Sequence, residues 1–240
     1  MKIRKAAERG LTETGWLHSR HSFSFAEYYD PKHMGFHSLR VINDDRVEAA
    51  AGFGMHGHRD MEIVTIVVEG ELEHKDSLGH GEVLRPNEVQ VMTAGRGIRH
   101  SEFNPSKTAS AHFIQIWIEP DTIGLEPAYA QKAFSSEHRR NTLLRVAGGR
   151  HNGDQALHIN QDAHIYVSTL TQDSTINFDT TNGRACWLQV IRGECLVNQV
   201  KLDPGDAVAT EDPIHLHIQG TAPQTDIILF DLRYVDARAS

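Results

Sequence analysis

The chain has 240 residues, of which 39% are hydrophobic and 23% charged, with a formal charge of −8. That length can bury a real core, either as one large β domain or as two ordinary ones. The acidic balance excludes a general electrostatic grip on nucleic acid, no apolar run approaches the roughly 18–20 residues of a membrane span, and two cysteines, Cys186 and Cys195, are too few for a disulfide framework.

The opening stretch Met1–Arg9 is charged throughout and lacks the apolar run of a secretory signal. A reduced, cytoplasmic protein with no membrane association is therefore expected. Of the sixteen histidines, most sit among polar residues, and His74, His80, His138 and His151 read as ordinary surface side chains. Residues 1–35 carry an aromatic cluster, Phe23, Phe25, Tyr28 and Tyr29, which ends at the turn signal Asp30-Pro31 and is expected to pack across the outside of a sheet. His18, His21, His33 and His37 show no mutual spacing that suggests a site.

From Leu39 the chain reads as short strands separated by turns. Leu39–Asn43 precedes an Asp44-Asp45 turn, and the β-branched run Met61–Val68 ends at Glu69-Gly70. Glu71–Asp76 begins a return strand with Ser77–Gly79 as its loop. Val89–Met92 leads into the glycine-bearing turn Ala94–Gly97, and Ala111–Ile118 alternates before stopping at Glu119-Pro120. This rhythm, almost free of helical periodicity, predicts an all-β sandwich or barrel. Residues 121–150 lose it. Ala128–Arg140 is compatible with a short helix, and Gly148-Gly149 with Asn152-Gly153 reads as loop, the natural place for a domain connection.

The second half repeats the first in outline. Glu69-Gly70-Glu71 has a counterpart in Arg192-Gly193-Glu194, and Leu84–Val89 resembles Leu202–Ala207, which suggests a duplicated domain. The boundary is placed between residues 1–133 and 134–240. Counting back from Gly193 sets Asp179 against His56 and Thr181 against His58, so the second copy lacks the histidine pair. His215 and His217 stand two apart but have no evident partners.

His56 and His58 are two residues apart, as are His100 and Glu102. On strands, each pair projects from one face and can aim two ligating groups into one space. Three imidazoles and a carboxylate suit a first-row divalent metal, with positions left for substrate or oxygen. Glu62 shares the parity of His56 and His58 but lies about 13 Å beyond His58 on an extended strand. It remains an alternative carboxylate, or a group that orients an imidazole.

These segments resemble the cupin pattern: His56-Gly57-His58 with Glu62, then Gly97-Ile98-Arg99-His100 with Asn104. Over almost the whole chain they are similar to the pirin family of two-domain cupins, and most similar to its bacterial quercetin dioxygenase-like members. The matching stretches are the aromatic entry Phe23–Phe25 to Asp30-Pro31, Leu39–Asp45, Gly54–Glu62 and Gly95–Asn104. Two positions depart from the general cupin motifs: Gly95 stands where proline is usual, and Ala50 where glycine is usual.

The resemblance implies an all-β bicupin, two face-to-face β-sandwich barrels, with metal only in the N-terminal one. It implies His56, His58, His100 and Glu102 as ligands to one divalent metal per chain, Fe(2+) first, with Mn, Ni, Cu and Zn as alternatives. No separate organic cofactor site is expected. The implied activity is a quercetin 2,3-dioxygenase-like ring opening (EC 1.13.11 class) of a flavonol with O2 and release of carbon monoxide, with Glu102 as catalytic base. Phe53, Met55, Met92, Gln115 and Trp117 are candidate pocket residues. The alternative is a non-catalytic, redox-sensing metal cupin that regulates through protein partners, since fold does not fix function.

Overall fold

The computed structural model describes residues 1–149 and 155–235; His151 and Asn152-Gly153 lie outside them. In chain order the first strands are β1 (Lys2–Arg4), β2 (Gly10–Glu13), β3 (Leu17–His21), β4 (Leu39–Val47), β5 (Gly52–His58) and β6 (Glu62–Glu69). They are followed by β7 (Leu72–Asp76), β8 (Gly81–Leu84), β9 (Glu88–Thr93), β10 (Ile98–Phe103), β11 (Ala111–Ile118) and β12 (Ala128–Ala133). The second half holds β13 (Leu144–Gly148), β14 (Leu157–His158), β15 (Ala163–Thr171), β16 (Thr175–Asp179) and β17 (Arg184–Arg192). It ends with β18 (Cys195–Val197), β19 (Val200–Leu202), β20 (Ala207–Thr210), β21 (His215–Gly220) and β22 (Gln224–Arg233). Among the described residues the helical elements are two 3-10 turns, Ala6–Glu8 and Ser136–Arg139. No helix among the described residues is long and apolar enough to cross a membrane.

The chain forms two compact units, each an all-β, cupin-type antiparallel barrel. The N-terminal barrel comprises Gly10–Phe134 with Leu157–Gln161, and the C-terminal barrel comprises Met1–Arg9, Ser135–Ala156 and Asp162–Ser240. In the first, a seven-stranded sheet ordered β12-β9-β6-β11-β4-β3-β2 accompanies a four-stranded sheet ordered β5-β10-β7-β8. In the second, β1-β20-β17-β22-β15-β13 accompanies β16-β21-β18-β19. The same connectivity thus occurs twice, as the repeat of turn motifs indicates. Gly70 and Gly193 both take left-handed φ values of 75° and 67°, and a Cβ on Gly193 would meet the Gln224 carbonyl at 2.1 Å. Asn87 and Gly205, in the second repeated motif, share φ values of 74° and 84°.

Several local expectations change. The Asp44-Asp45 pair lies inside β4 rather than in a turn, because His112 on the neighbouring β11 meets the Asp44 carboxylate at 2.7 Å and lets it be buried. Ala128–Ala133 is an edge strand on β9, not helix; only Ser136–Arg139 turns. The first nine residues, grouped by sequence with the N-terminal domain, belong to the C-terminal barrel. There β1 pairs with β20, and Asp206 accepts from Lys5 Nζ at 2.5 Å and from the Ala6 N–H at 2.7 Å. A three-residue strand is too short to show a period.

Burial alone would raise the Asp206 carboxyl, but Lys5 and the N–H groups of Ala6 and Asp203 outweigh it and hold the group below its ordinary value of 3.8. The stability this adds is complete above the unfolded value and is lost as pH falls through the lower folded one. Asp206→Asn is expected to destabilise the C-terminal barrel by about 1–3 kcal/mol at neutral pH. The difference from the parent should shrink in acid, as measured by denaturant unfolding across pH.

The interiors differ, and this difference places the site. In the C-terminal barrel, Ile176, Leu188, Val208, Leu216, Ile218 and Leu229 belong to one continuous apolar cluster. Among the described residues of the N-terminal barrel, the apolar clusters around Phe113 and around Ile63 are separate from each other. Between them Gln90, Thr65 and Gln115 stand opposite one another on β9, β6 and β11. The corresponding C-terminal row is Val208, Leu188 and Leu229. Thr65 Oγ1 and both Gln90 amide atoms are buried without a hydrogen-bond partner, an arrangement worth about 1–3 kcal/mol of destabilisation per group.

Candidate metal centre

The site is built on β5 and β10 of the N-terminal barrel. They pair antiparallel with His56 opposite His100 and His58 opposite Ile98. A register shift then sets Glu102 opposite Phe53, leaving Gly54 and Met55 consecutively exposed on β5. This is a β-bulge, which turns the strand and re-aims its side chains. His56, His58, His100 and Glu102 consequently all point inward.

Three imidazole nitrogens converge. His100 Nε2 lies 2.9 Å from His58 Nε2 and 3.0 Å from His56 Nε2. One nitrogen carrying at most one hydrogen cannot donate to both. His56 Nδ1 donates to the Gly54 carbonyl at 2.8 Å, which leaves its Nε2 lone pair free. Three converging imidazole nitrogens form a donor set that fits a first-row divalent metal.

Burial, reinforced by His56, lowers His58 to about 4. Burial with the neighbouring His58 and His56 lowers His100 to about 2. Both rings are neutral at physiological pH and present lone pairs. Glu102 is 1% exposed. Its Oε2 accepts from Gln115 Nε2 at 2.8 Å, while Oε1 is buried with no partner. Burial pushes this carboxyl up to about 7 against the opposing Gln115 bond. The carboxylate stands closer to one side of the cluster than to the other. His74, His100 and Glu102 bring ligating atoms within 4.8 Å of one another, as His56, His58 and His100 do separately.

Glu62 lies elsewhere. Its oxygens accept from Thr93 Oγ1 at 2.9 Å and Asn160 Nδ2 at 3.2 Å, so it joins strand to loop. Glu62→Gln should leave metal content unchanged and cost about 1–3 kcal/mol of stability, checked by metal analysis alongside chemical unfolding.

Of the candidate pocket residues, Trp117 sets its ring edge-on to His58 at 4.9 Å, Phe53 lies 6.4 Å from His56, and Gln115 holds Glu102. Met92 is core and Met55 is exposed. The aromatic entry segment does not simply coat a sheet, since Phe25 packs at 5.3 Å against Trp117 and so reaches the surroundings of the cluster. His21 is structural as expected, bonded to Asn43 at 2.7 Å. His74, expected at the surface, is fully buried against His100. The signal that could have found it is the parity Leu72, His74, Asp76, in phase with a core leucine.

The two motif departures have local reasons. Gly95 takes φ 45°, which proline cannot adopt, and a Cβ there would meet the Leu125 carbonyl at 2.0 Å. Ala50 takes φ 57°, the left-handed region that makes glycine usual.

In the C-terminal barrel the matching positions are apolar or hydroxylic. The loop before β17 is one residue longer than that before β6, which shifts the sequence register. Phe178 opposite Leu216 corresponds to His56 opposite His100, and buried Thr180 takes the place of His58. Asp179, His215 and His217 are exposed, with His215 bonded to Asp179 at 2.6 Å and His217 to Asn177 at 3.0 Å. Among the described residues, both groupings of three metal-ligating side chains lie in the N-terminal barrel.

Comparison with known proteins finds relatives over nearly the whole chain. The Pirin family model matches residues 2–118, and the model of the quercetinase C-terminal cupin domain matches residues 146–232. A quercetin 2,3-dioxygenase of Escherichia coli K12 is 44% identical over 230 residues, covering 96% of this chain and 97% of the relative. A putative quercetin 2,3-dioxygenase of Pseudomonas aeruginosa is 41% identical over 85% of this chain and 87% of its own length. The crystal structure of the bacterial pirin YhhW from Escherichia coli in complex with nickel(II) superposes with a TM-score of 0.91 at 43% identity, covering 98% of this chain and 99% of that one.

Proposed function

The chain belongs to the pirin family, and from that membership we propose that it is an iron-dependent dioxygenase opening the heterocyclic ring of a flavonol such as quercetin with O2 and release of carbon monoxide. The observation that carries this reading is the convergence of three imidazole nitrogens at 2.9 and 3.0 Å beside a buried carboxyl with one unpartnered oxygen. His56, His58 and His100 would hold the metal, with Glu102 as the fourth ligand. Fe(2+) there would supply Lewis acidity toward the flavonol 3-oxygen and a site for O2, and Mn, Ni, Cu or Zn suit the same donors.

The protein's own groups account for the proton. The flavonol 3-hydroxyl must lose its proton before it can bind as an oxyanion. Glu102 would take that proton on release from the metal or when weakly bound to it, since its buried Oε1 has no partner in the protein. Gln115 keeps the other oxygen engaged, so the carboxylate presents one defined lone-pair edge. Trp117, with Phe25 behind it, forms an aromatic wall beside His58 suited to a flat ring system. Two buried free cysteines, Cys186 and Cys195, are consistent with a reducing, cytoplasmic location.

The test is anaerobic titration of the iron-loaded protein with quercetin, followed by admission of air. A spectral shift on binding and then bleaching with carbon monoxide release is expected. A shift with no oxygen consumption would instead favour a sensor acting through protein partners.

A further inference from the structure

We propose that Asp76 and His74 form a hydrogen-bond relay that fixes the tautomer and ring plane of His100 and thereby sets how tightly the N-terminal barrel holds its metal. The inference rests on His100 being a ligand, as in the reading above.

The relay is read outward from His100. Its Nε2 faces His56 and His58, so Nδ1 on the opposite edge of the ring points away from the cluster. There it meets His74 Nδ1 at 3.3 Å. His74 Nε2 in turn lies 3.3 Å from Asp76 Oδ2. His74 and Asp76 are successive inward residues of β7, standing opposite Glu102 and His100 on β10. Their side chains are completely buried.

Only one assignment of hydrogens satisfies every link. A ligating His100 keeps the lone pair on Nε2, so its hydrogen is on Nδ1 and is donated to His74 Nδ1. A neutral His74 then carries its hydrogen on Nε2, and the acceptor waiting there is a carboxylate. Asp76 stays ionised. Burial opposes this, but bonds from the His80 ring and N–H, from His74 and from the Leu78 N–H together hold its acid constant below the ordinary range. The carboxylate keeps its charge and polarises each ring through its N–H, which makes the ligating nitrogen a better donor. The arrangement lengthens the usual carboxylate–histidine–metal support by one ring.

Two observations separate this from ordinary core packing. Tyr129 stacks on His74 at 4.9 Å and on His80 at 4.8 Å, which locks the His74 ring in the plane the relay needs. The second barrel, counted from Gly193 as the first is from Gly70, fills the position of His74 with Val197, fully buried in apolar core. A buried histidine is therefore not required to build this strand. It occurs in the barrel that carries the cluster.

The experiment uses the full-length, metal-free protein and cobalt(II) alone, with affinity measured by chelator competition. Exchangeable ring N–H resonances of the cobalt-loaded form are followed by NMR. His74→Phe keeps an aromatic ring but removes the acceptor, and should weaken cobalt binding about 10–100-fold and expose the His100 Nδ1–H to rapid exchange. His74→Asn, whose side-chain oxygen can stand where Nδ1 was, should restore most of the affinity and the protected resonance. Asp76→Asn, isosteric and less disruptive, should weaken binding in the same direction. Cobalt affinity and exchange protection unchanged in both His74→Phe and Asp76→Asn would overturn the relay while leaving the metal site standing. Wild-type protein that binds no cobalt at the cluster would overturn the metal reading, and the relay with it.

Discussion

His100→Ala is expected to abolish metal retention and turnover together. His100 is the nitrogen shared by both short contacts of the cluster. Without it, His56 and His58 remain on one strand with no facing imidazole. The loss of affinity should exceed the ~10–100-fold that follows removal of a supporting residue. His215→Ala is the matched control. That side chain is exposed and bonded to Asp179 in the C-terminal barrel, so metal content and activity should stay at the parent value. Metal analysis after dialysis, with turnover on the same samples, checks both. Full metal content in His100→Ala would mean that the ion is held elsewhere.

Glu102→Gln should have the second large effect, and a more selective one. The amide preserves the shape and the contact with Gln115 while removing the proton acceptor. Turnover on a flavonol is expected to fall about 10²–10⁴-fold, the range of general-base contributions. Metal affinity should respond to pH differently in the two proteins. In the metal-free parent the Glu102 carboxyl is pushed up to about 7, so below that pH it must lose its proton to ligate. The parent's affinity should therefore gain an extra tenfold or so per pH unit between about 5 and 7 relative to the variant, and none above. His58 and His100, lowered to about 4 and 2, are already neutral in that window and add no slope. Calorimetric titration with the metal at several pH values reads this difference directly.

Much of the site was legible because strand parity is local. His56 with His58, and His100 with Glu102, need only the alternation of a strand to share a face. The duplication was legible for a similar reason: the turns at Gly70 and Gly193 need a left-handed residue. What escaped depends on partners distant in sequence. Asp44 reads as a turn residue until His112 is brought beside it. Ala128–Ala133 has no strand signal of its own and is held by β9. His74 looks polar and exposed because Tyr129 and His100, which cover it, lie more than twenty residues away in the chain. The longer loop before β17 puts the second copy one residue out of register with a count along the sequence. That slip moves every side chain to the opposite face, so Phe178 rather than Asp179 corresponds to His56.

The most direct test is oxygen uptake by the iron-loaded protein on quercetin, with carbon monoxide measured in the same vessel. Consumption of about one O2 and release of about one carbon monoxide per flavonol, absent from His100→Ala, is the expected result for a metal-bound ring-opening oxygenase. Flavonol binding without oxygen uptake, in protein carrying its full complement of iron, would contradict it.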